Sequence, residues 1–187
     1  SIHAFYAVWD RPGGRGSLGV EDLLKQSIAG EDQHGDQRFR SVTQARVDWV
    51  SQSGWTLPLV HGDRKTGERV TQDFIIQGSR VVFTTGLIRD TQGDPCLVSG
   101  DGWLMVLDIY SGGMLPTATL DSDGDRLVDG NDEPSAGLDL DVVLLPAVAA
   151  VPDRPGRAPE VELRGVSRYA DVGQGIFPSG HREAPDH

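Results

Sequence analysis

Arg80-Val-Val-Phe-Thr-Thr-Gly-Leu-Ile88 is the strongest strand signal in the chain, rich in β-branched and aromatic residues and bounded by turn formers. Just upstream, Glu68–Ile76 reads as its hairpin partner, joined through Gln77-Gly78. Downstream, Gly102-Trp-Leu-Met-Val-Leu-Asp-Ile109 is a third strand, closed by Ser111-Gly112-Gly113. Further out, Phe39–Val50 alternates loosely, and Gly54–Val60 is a short strand whose Pro58 predicts an edge or a bulge. Residues 2–10 (IHAFYAVWD) end at Arg-Pro-Gly-Gly, a strand followed by a turn. Short strands with turns between them from 39 to 110 predict an all-β domain.

One segment departs from that pattern. Over residues 20–28 (VEDLLKQSI), Val20, Leu23, Leu24 and Ile28 share a helical face and Gly30 follows as a stop, which predicts one short helix. Residues 30–38 read as polar loop. A repeat is also visible: Asp63-Arg-Lys-Thr-Gly67 and Asp108-Ile-Tyr-Ser-Gly112 both fit D-x-x-[ST]-G, with starts 45 residues apart. That interval is typical of one propeller blade. In such a turn the Asp and the hydroxyl bond the backbone while Gly supplies positive φ. After residue 148 the composition turns Pro- and Gly-rich. The expected organisation is therefore 1–148 as the β domain and 149–187 as a divergent end, with a possible strand over Glu160–Arg168.

Composition narrows the function classes. Of 187 residues, 24 are Gly and 11 are Pro, which favours turns and short strands over long helices. The net charge of −11 leaves no basic stripe for nucleic acid and disfavours anionic lipid. No apolar run is long enough to span a membrane. Cys96 is the single cysteine, so no internal disulfide forms. The chain opens inside a strand-like stretch without Met, which reads as excision from a longer protein.

The sharpest chemical signal is Asp121-Ser-Asp-Gly-Asp-Arg-Leu-Val-Asp-Gly-Asn-Asp132. Carboxylates fall at positions 1, 3, 5, 9 and 12 of this loop: Asp121, Asp123, Asp125, Asp129 and Asp132. Position 7, Leu127, offers its backbone carbonyl. This is the ligand spacing of an EF-hand-type loop, which wraps hard oxygens around one Ca²⁺. The flanks are not helical: strand-like Met114–Leu120 precedes the loop and Glu133-Pro134 follows it. Arg126 stands at position 6, where Gly is usual, and Gly124 is placed to share the strain. Asp132 replaces the usual longer Glu at position 12. From 121 to 141 there are eight acids against one Arg, so without a cation the segment repels itself.

Catalytic constellations are not evident. None of His3, His34, His61, His181 and His187 has zincin spacing with another, and each reads as a surface or turn residue. Gly13-Gly14-Arg-Gly16 lacks the Lys-Ser/Thr of a phosphate loop and reads as a turn. Trp9, Trp49, Trp55 and Trp103 can be a carbohydrate platform, but their strand-like contexts predict core packing.

Taken in order, these segments resemble a known family. Tyr6-Ala-Val-Trp9-Asp10, Gly54-Trp55, Leu57-Pro58, Gly67-Glu68-Arg69-Val70, Arg80–Thr85, Asp94-Pro95-Cys96, Gly102–Asp108 and Ser111-Gly112-Gly113 are similar to the C-terminal domain of PilC/PilY-type proteins. The resemblance covers about residues 5–133, and the acidic loop follows where the family carries its calcium loop. Arg89 stands where the family usually has a proline. The resemblance implies part of a modified β-propeller and a secreted, non-enzymatic type IV pilus biogenesis factor or pilus-tip adhesin. It implies association with the outer membrane and cell surface, minor pilins and host-surface ligands as partners, and calcium that tunes pilus extension and retraction. Two other readings stay open: a calcium-binding module of an unrelated surface protein, and a quinoprotein-like propeller enzyme.

Overall fold

A computed structural model describes residues 1–12, 17–63, 66–88, 100–140, 148–150 and 161–163. Cys96, the turn at 13–16, and His181 and His187 of the tail lie outside the described residues. The architecture is all-β, as expected. Its strands are β1 (Ala4–Val8), β2 (Leu24–Lys25), β3 (Ile28–His34), β4 (Gln37–Val42), β5 (Gly54–Pro58), β6 (Arg69–Val70), β7 (Ile75–Gln77), β8 (Arg80–Ile88), β9 (Gly100–Asp108), β10 (Gly137–Asp139), β11 (Val148–Ala150) and β12 (Val161–Leu163).

The strongly β-forming run at 80–88 is an interior strand of the largest sheet, with β9 on one side and the short β6 and β7 on the other. β8 and β9 pair antiparallel over their full length, from Arg80 opposite Asp108 to Ile88 opposite Gly100. The sheet continues β3-β4-β10-β9-β8-β6, with β7 also pairing β8. Both faces of this pair are covered, which explains the near-continuous apolar run of Gly102–Ile109. Val82, Leu104 and Val106 pack on one side with Phe39, Leu115, Leu120 and Leu138. Val81, Phe83, Trp103, Met105 and Leu107 pack on the other with Trp55, Leu57 and Leu59. That second layer is a smaller sheet, ordered β1-β5-β2. Phe5 of β1 stacks between the layers, 4.4 Å from the Phe83 ring and 5.6 Å from Trp55.

Several expectations are corrected. The helix over Val20–Ile28 does not form: Val20–Asp22 is one 3₁₀ turn, Leu24–Lys25 pairs parallel to β5, and Ile28 begins β3. Nine residues carry too few internal hydrogen bonds to hold a helix against an available strand edge. The supposed stripe also splits, since Leu23 and Ile28 are buried while Val20 is exposed. Buried Gln26 fixes this course, donating from Nε2 to the carbonyls of Ala45 and Ser111, both at 2.8 Å.

Residues 30–38 are not loop but the greater part of the β3–β4 hairpin, which turns at Gly35 with φ 58°. Residues 43–50 leave the sheet, and the expected strand Glu68–Ile76 is divided into β6 and β7. Pro58 lies in a central strand, not an edge. It is tolerated because it is the last residue of β5, beyond which Leu59 N donates to His3 O at 2.8 Å. Met114–Leu120 is not a regular strand, although Leu115 and Leu120 anchor it in the core. The Glu160–Arg168 strand appears as Val161–Leu163, paired with β11. Trp55 and Trp103 are core residues; Trp9 and Trp49 are exposed and meet edge to face at 5.4 Å.

Candidate metal centre

The acidic loop leaves the core at Leu120 and returns to the sheet at Gly137. Its exit is stapled to the hairpin: Ala136 N donates to Arg40 O at 2.7 Å, and Gly137 lies between Arg40 and Met105. A Cβ at Gly137 would fall 2.7 Å from Met105 Sδ and 3.1 Å from Arg40 Cβ, so a side chain there would require its neighbours to shift. Beneath the exit, the Arg40 side chain is buried over the Trp103 ring at 3.9 Å. Its Nη1 donates to Glu68 Oε1 at 2.8 Å and its Nη2 to Glu31 Oε1 at 2.7 Å. Thr85 Oγ1 donates to the same Glu68 oxygen at 2.6 Å. Burial pushes the Glu31 carboxyl up, but the Arg40 hydrogen bond and charge, with His61 and Arg38, outweigh it and hold Glu31 below the ordinary range. Sequence reading missed this ion pair; its only signal is Arg40 sharing a strand face with Val42.

Within the loop each Asp first organises backbone. Asp121 accepts from Gly124 N at 2.6 Å and Arg126 N at 2.9 Å. Asp132 reaches back across the loop, accepting from Ser122 N at 2.5 Å and Asp129 N at 2.8 Å. Asp123, Asp125 and Asp129 accept from the amides two residues on, those of Asp125, Leu127 and Asn131. Arg126 takes φ 72° and Gly124 φ 82°, so the turn does require positive φ at position 6 and Gly124 shares it. Arg126 is the non-Gly residue with positive φ among those described.

This folding brings Asp121, Asp123 and Asp132 together: one carboxylate oxygen from each lies within 4.8 Å of the others. Asp121 and Asp132 are buried and Asp123 is exposed. At that spacing two like charges repel by about 1 to 3 kcal/mol, depending on the local dielectric. The trio can hold a metal ion, and its all-oxygen donors suit a hard cation. Asp125, Asp129 and Leu127 are exposed and lie outside this trio.

The second D-x-x-[ST]-G copy behaves as its residue types predict. Asp108 Oδ1 accepts from Tyr110 N, Ser111 N and Ser111 Oγ at 3.0, 2.7 and 2.8 Å, and Gly112 has φ 69°. In the first copy Gly67 has φ 79°, while residues 64 and 65 lie outside the described set.

Comparison with known proteins adds to this geometry. No family model matches the chain. It is 32% identical over 137 residues to a type IV pilus biogenesis factor PilY1 homolog of Xylella fastidiosa, spanning 72% of this chain and 9% of that protein. It is 27% identical over 147 residues to the type IV pilus biogenesis factor PilY1 of Pseudomonas aeruginosa, spanning 68% of this chain and 12% of that one. The chain thus covers about a tenth of the length of these relatives. Its fold matches the crystal structure of the Pseudomonas aeruginosa PilY1 C-terminal domain with a TM-score of 0.71 at 22% identity, over 91% of this chain and 37% of that one. Similarity to PilY1 proteins of two organisms, together with the shared fold over nine tenths of its residues, makes this chain a PilY1-type partial domain.

Proposed function

We propose that this chain is the calcium-binding part of the C-terminal domain of a type IV pilus biogenesis factor that works at the cell surface without catalysis. The single observation that carries the pilus assignment is the 32% identity over 137 residues to the Xylella protein. In this reading residues 1–148 form part of a modified β-propeller, and 149–187 are its divergent end. Minor pilins are the partners at the pilus tip, and host-surface ligands are contacted by the adhesive form of the protein.

For calcium, the convergence of Asp121, Asp123 and Asp132 supports the site, with Asp125, Asp129 and the Leu127 carbonyl closing around the ion. Bound calcium would supply positive charge that cancels the repulsion between these carboxylates. The chain's own contribution is to pre-orient them. Asp121 is fixed by the amides of Gly124 and Arg126, and Asp132 by those of Ser122 and Asp129. Ordering of the loop would then be felt at Gly137 and Arg40, where the loop joins the main sheet. That coupling is the proposed route by which calcium tunes pilus extension and retraction.

The test is complementation of a strain lacking the full-length gene. The wild-type gene is expected to restore surface pili and twitching. A gene deleted for this region should fail to do so. Asp123→Asn should restore pili but shift the dependence of twitching on external calcium. Pili that assemble and retract normally without the region would refute the pilus role.

A further inference from the structure

β1 is an edge strand with its bonding groups divided cleanly. Leu59 N donates to His3 O and Trp9 N donates to Ser53 O, both at 2.8 Å. In an antiparallel ladder the paired residues alternate, so Phe5 and Ala7 also face β5. Ala4, Tyr6 and Val8 therefore direct their amides and carbonyls to the other side, where no strand lies among the described residues. Beside this edge runs a groove of about 790 Å³, lined by Phe5, Trp9, Trp49, Phe74, Ile76 and Tyr110 among others. Tyr6, Phe74, Ile76 and Tyr110 are each more than half exposed. An apolar edge of five residues beside exposed aromatics invites strand addition: backbone bonds give affinity and the groove seats alternate side chains. The lining is almost wholly aromatic and aliphatic, which suits apolar side chains better than a sugar.

The occupant follows from chain length. The chain covers only 37% of the PilY1 C-terminal domain it matches, so nearly two thirds of such a domain has no counterpart in it. A tethered segment of the same domain competes at a high effective concentration that a free partner does not reach. We propose that the outer edge of β1 and the adjoining groove receive a β-strand from the remainder of the PilY1-type domain. That strand bonds to Ala4, Tyr6 and Val8 and fills the groove with apolar side chains. The inference rests on the partial-domain assignment but not on calcium or on the pilus role.

The experiment is residue-resolved amide hydrogen exchange on the purified full-length gene product. Tyr6 and Val8 are expected to exchange at least 100-fold more slowly than exposed loop amides, at rates similar to Phe5 and Ala7. Protection of Phe5 and Ala7 with fast exchange at Tyr6 and Val8 would show an open edge and overturn the proposal. Protection gained only after a second protein is added would assign the edge to an outside partner and also overturn it. In the 187-residue chain, slow exchange of Tyr6 and Val8 that grows with concentration would assign the edge to a second copy and overturn it as well. If that shorter chain fails to fold, the comparison of neighbouring amides within the full-length product decides alone.

Discussion

Arg40 is 3% exposed and sits between two carboxylates and an indole, so its charge is compensated at every side the fold offers. Removing one partner of a buried pair costs more than the pair gains, because the other charge is left behind. Glu68→Gln keeps the shape but removes the charge, and is expected to destabilise the protein by roughly 3 kcal/mol in denaturant melts, the low end for a broken buried pair because Glu31 remains. A loss under 1 kcal/mol would mean that Arg40 is not held by Glu68. Glu31 sets a pH dependence. Its folded-state pKa lies below the unfolded value, so it contributes stability above about pH 4.5 that is lost as pH falls through the folded-state value. Between pH 5 and 3, Glu31→Gln should therefore show a shallower fall in stability than wild type; parallel curves would exclude this carboxylate. Legibility at this scale depended on locality. Asp108, Ser111 and Gly112 form their turn within five residues, so their spacing revealed it. The sequence could not reveal that a Cβ at Gly112 would also collide with the Trp55 ring, or that Arg40 meets a Glu 28 residues away.

Among the elements, the acidic loop was the most legible and the segment before β3 the least. The loop announces itself because its hydrogen bonds and its candidate ligands are drawn from one dozen consecutive residues. The 20–28 segment misled because its apolar spacing fits a helix, while its course is decided by distant groups, the β5 edge and the carbonyls that take Gln26. Loop energetics yield two expectations. Calcium should raise the melting temperature of the wild type, with a dissociation constant on the order of 10⁻⁵ to 10⁻³ M. At about 100 times that concentration the gain is about 2.7 kcal/mol. Asp123→Asn removes one exposed member of the converging trio and should lose most of the gain. Leu127→Ala, which trims an exposed side chain and keeps the carbonyl, should retain it. Ser122 is a poor control, since its amide and hydroxyl both reach Asp132. Equal calcium response in wild type and Asp123→Asn would reduce the loop to solvated acid. Separately, Arg126→Gly relieves a left-handed non-Gly residue and should stabilise the loop by up to ~1 kcal/mol, since glycine's extra freedom in the unfolded chain offsets part of the relief. An unchanged or lower melting temperature would show that the Arg126 side chain contributes more than its backbone costs.

At the scale of the whole molecule, the all-β character was legible because runs rich in β-branched and aromatic residues, such as Arg80–Ile88, are short and bounded by turn formers. Division into separate sheets was not legible, because it depends on which strands meet across long separations, such as β1 with β5 and β4 with β10. The edge of β1 that is open among the described residues can be tested by comparing this chain alone with the full-length product. Ile76 is 56% exposed on the groove beside β1. In the isolated 187-residue chain an apolar side chain there meets water or another molecule, so Ile76→Lys should reduce self-association at micromolar concentration. In the full-length product the same lysine would be pressed against the strand proposed to fill the groove. Burying its ammonium without a partner would lower the melting temperature. The expected signature is thus a change of sign with context: improved behaviour of the short chain in sedimentation velocity, and reduced thermal stability of the long one. A substitution neutral in both settings would mean that the groove faces solvent in the intact protein, since an occupied groove cannot accept a lysine without cost.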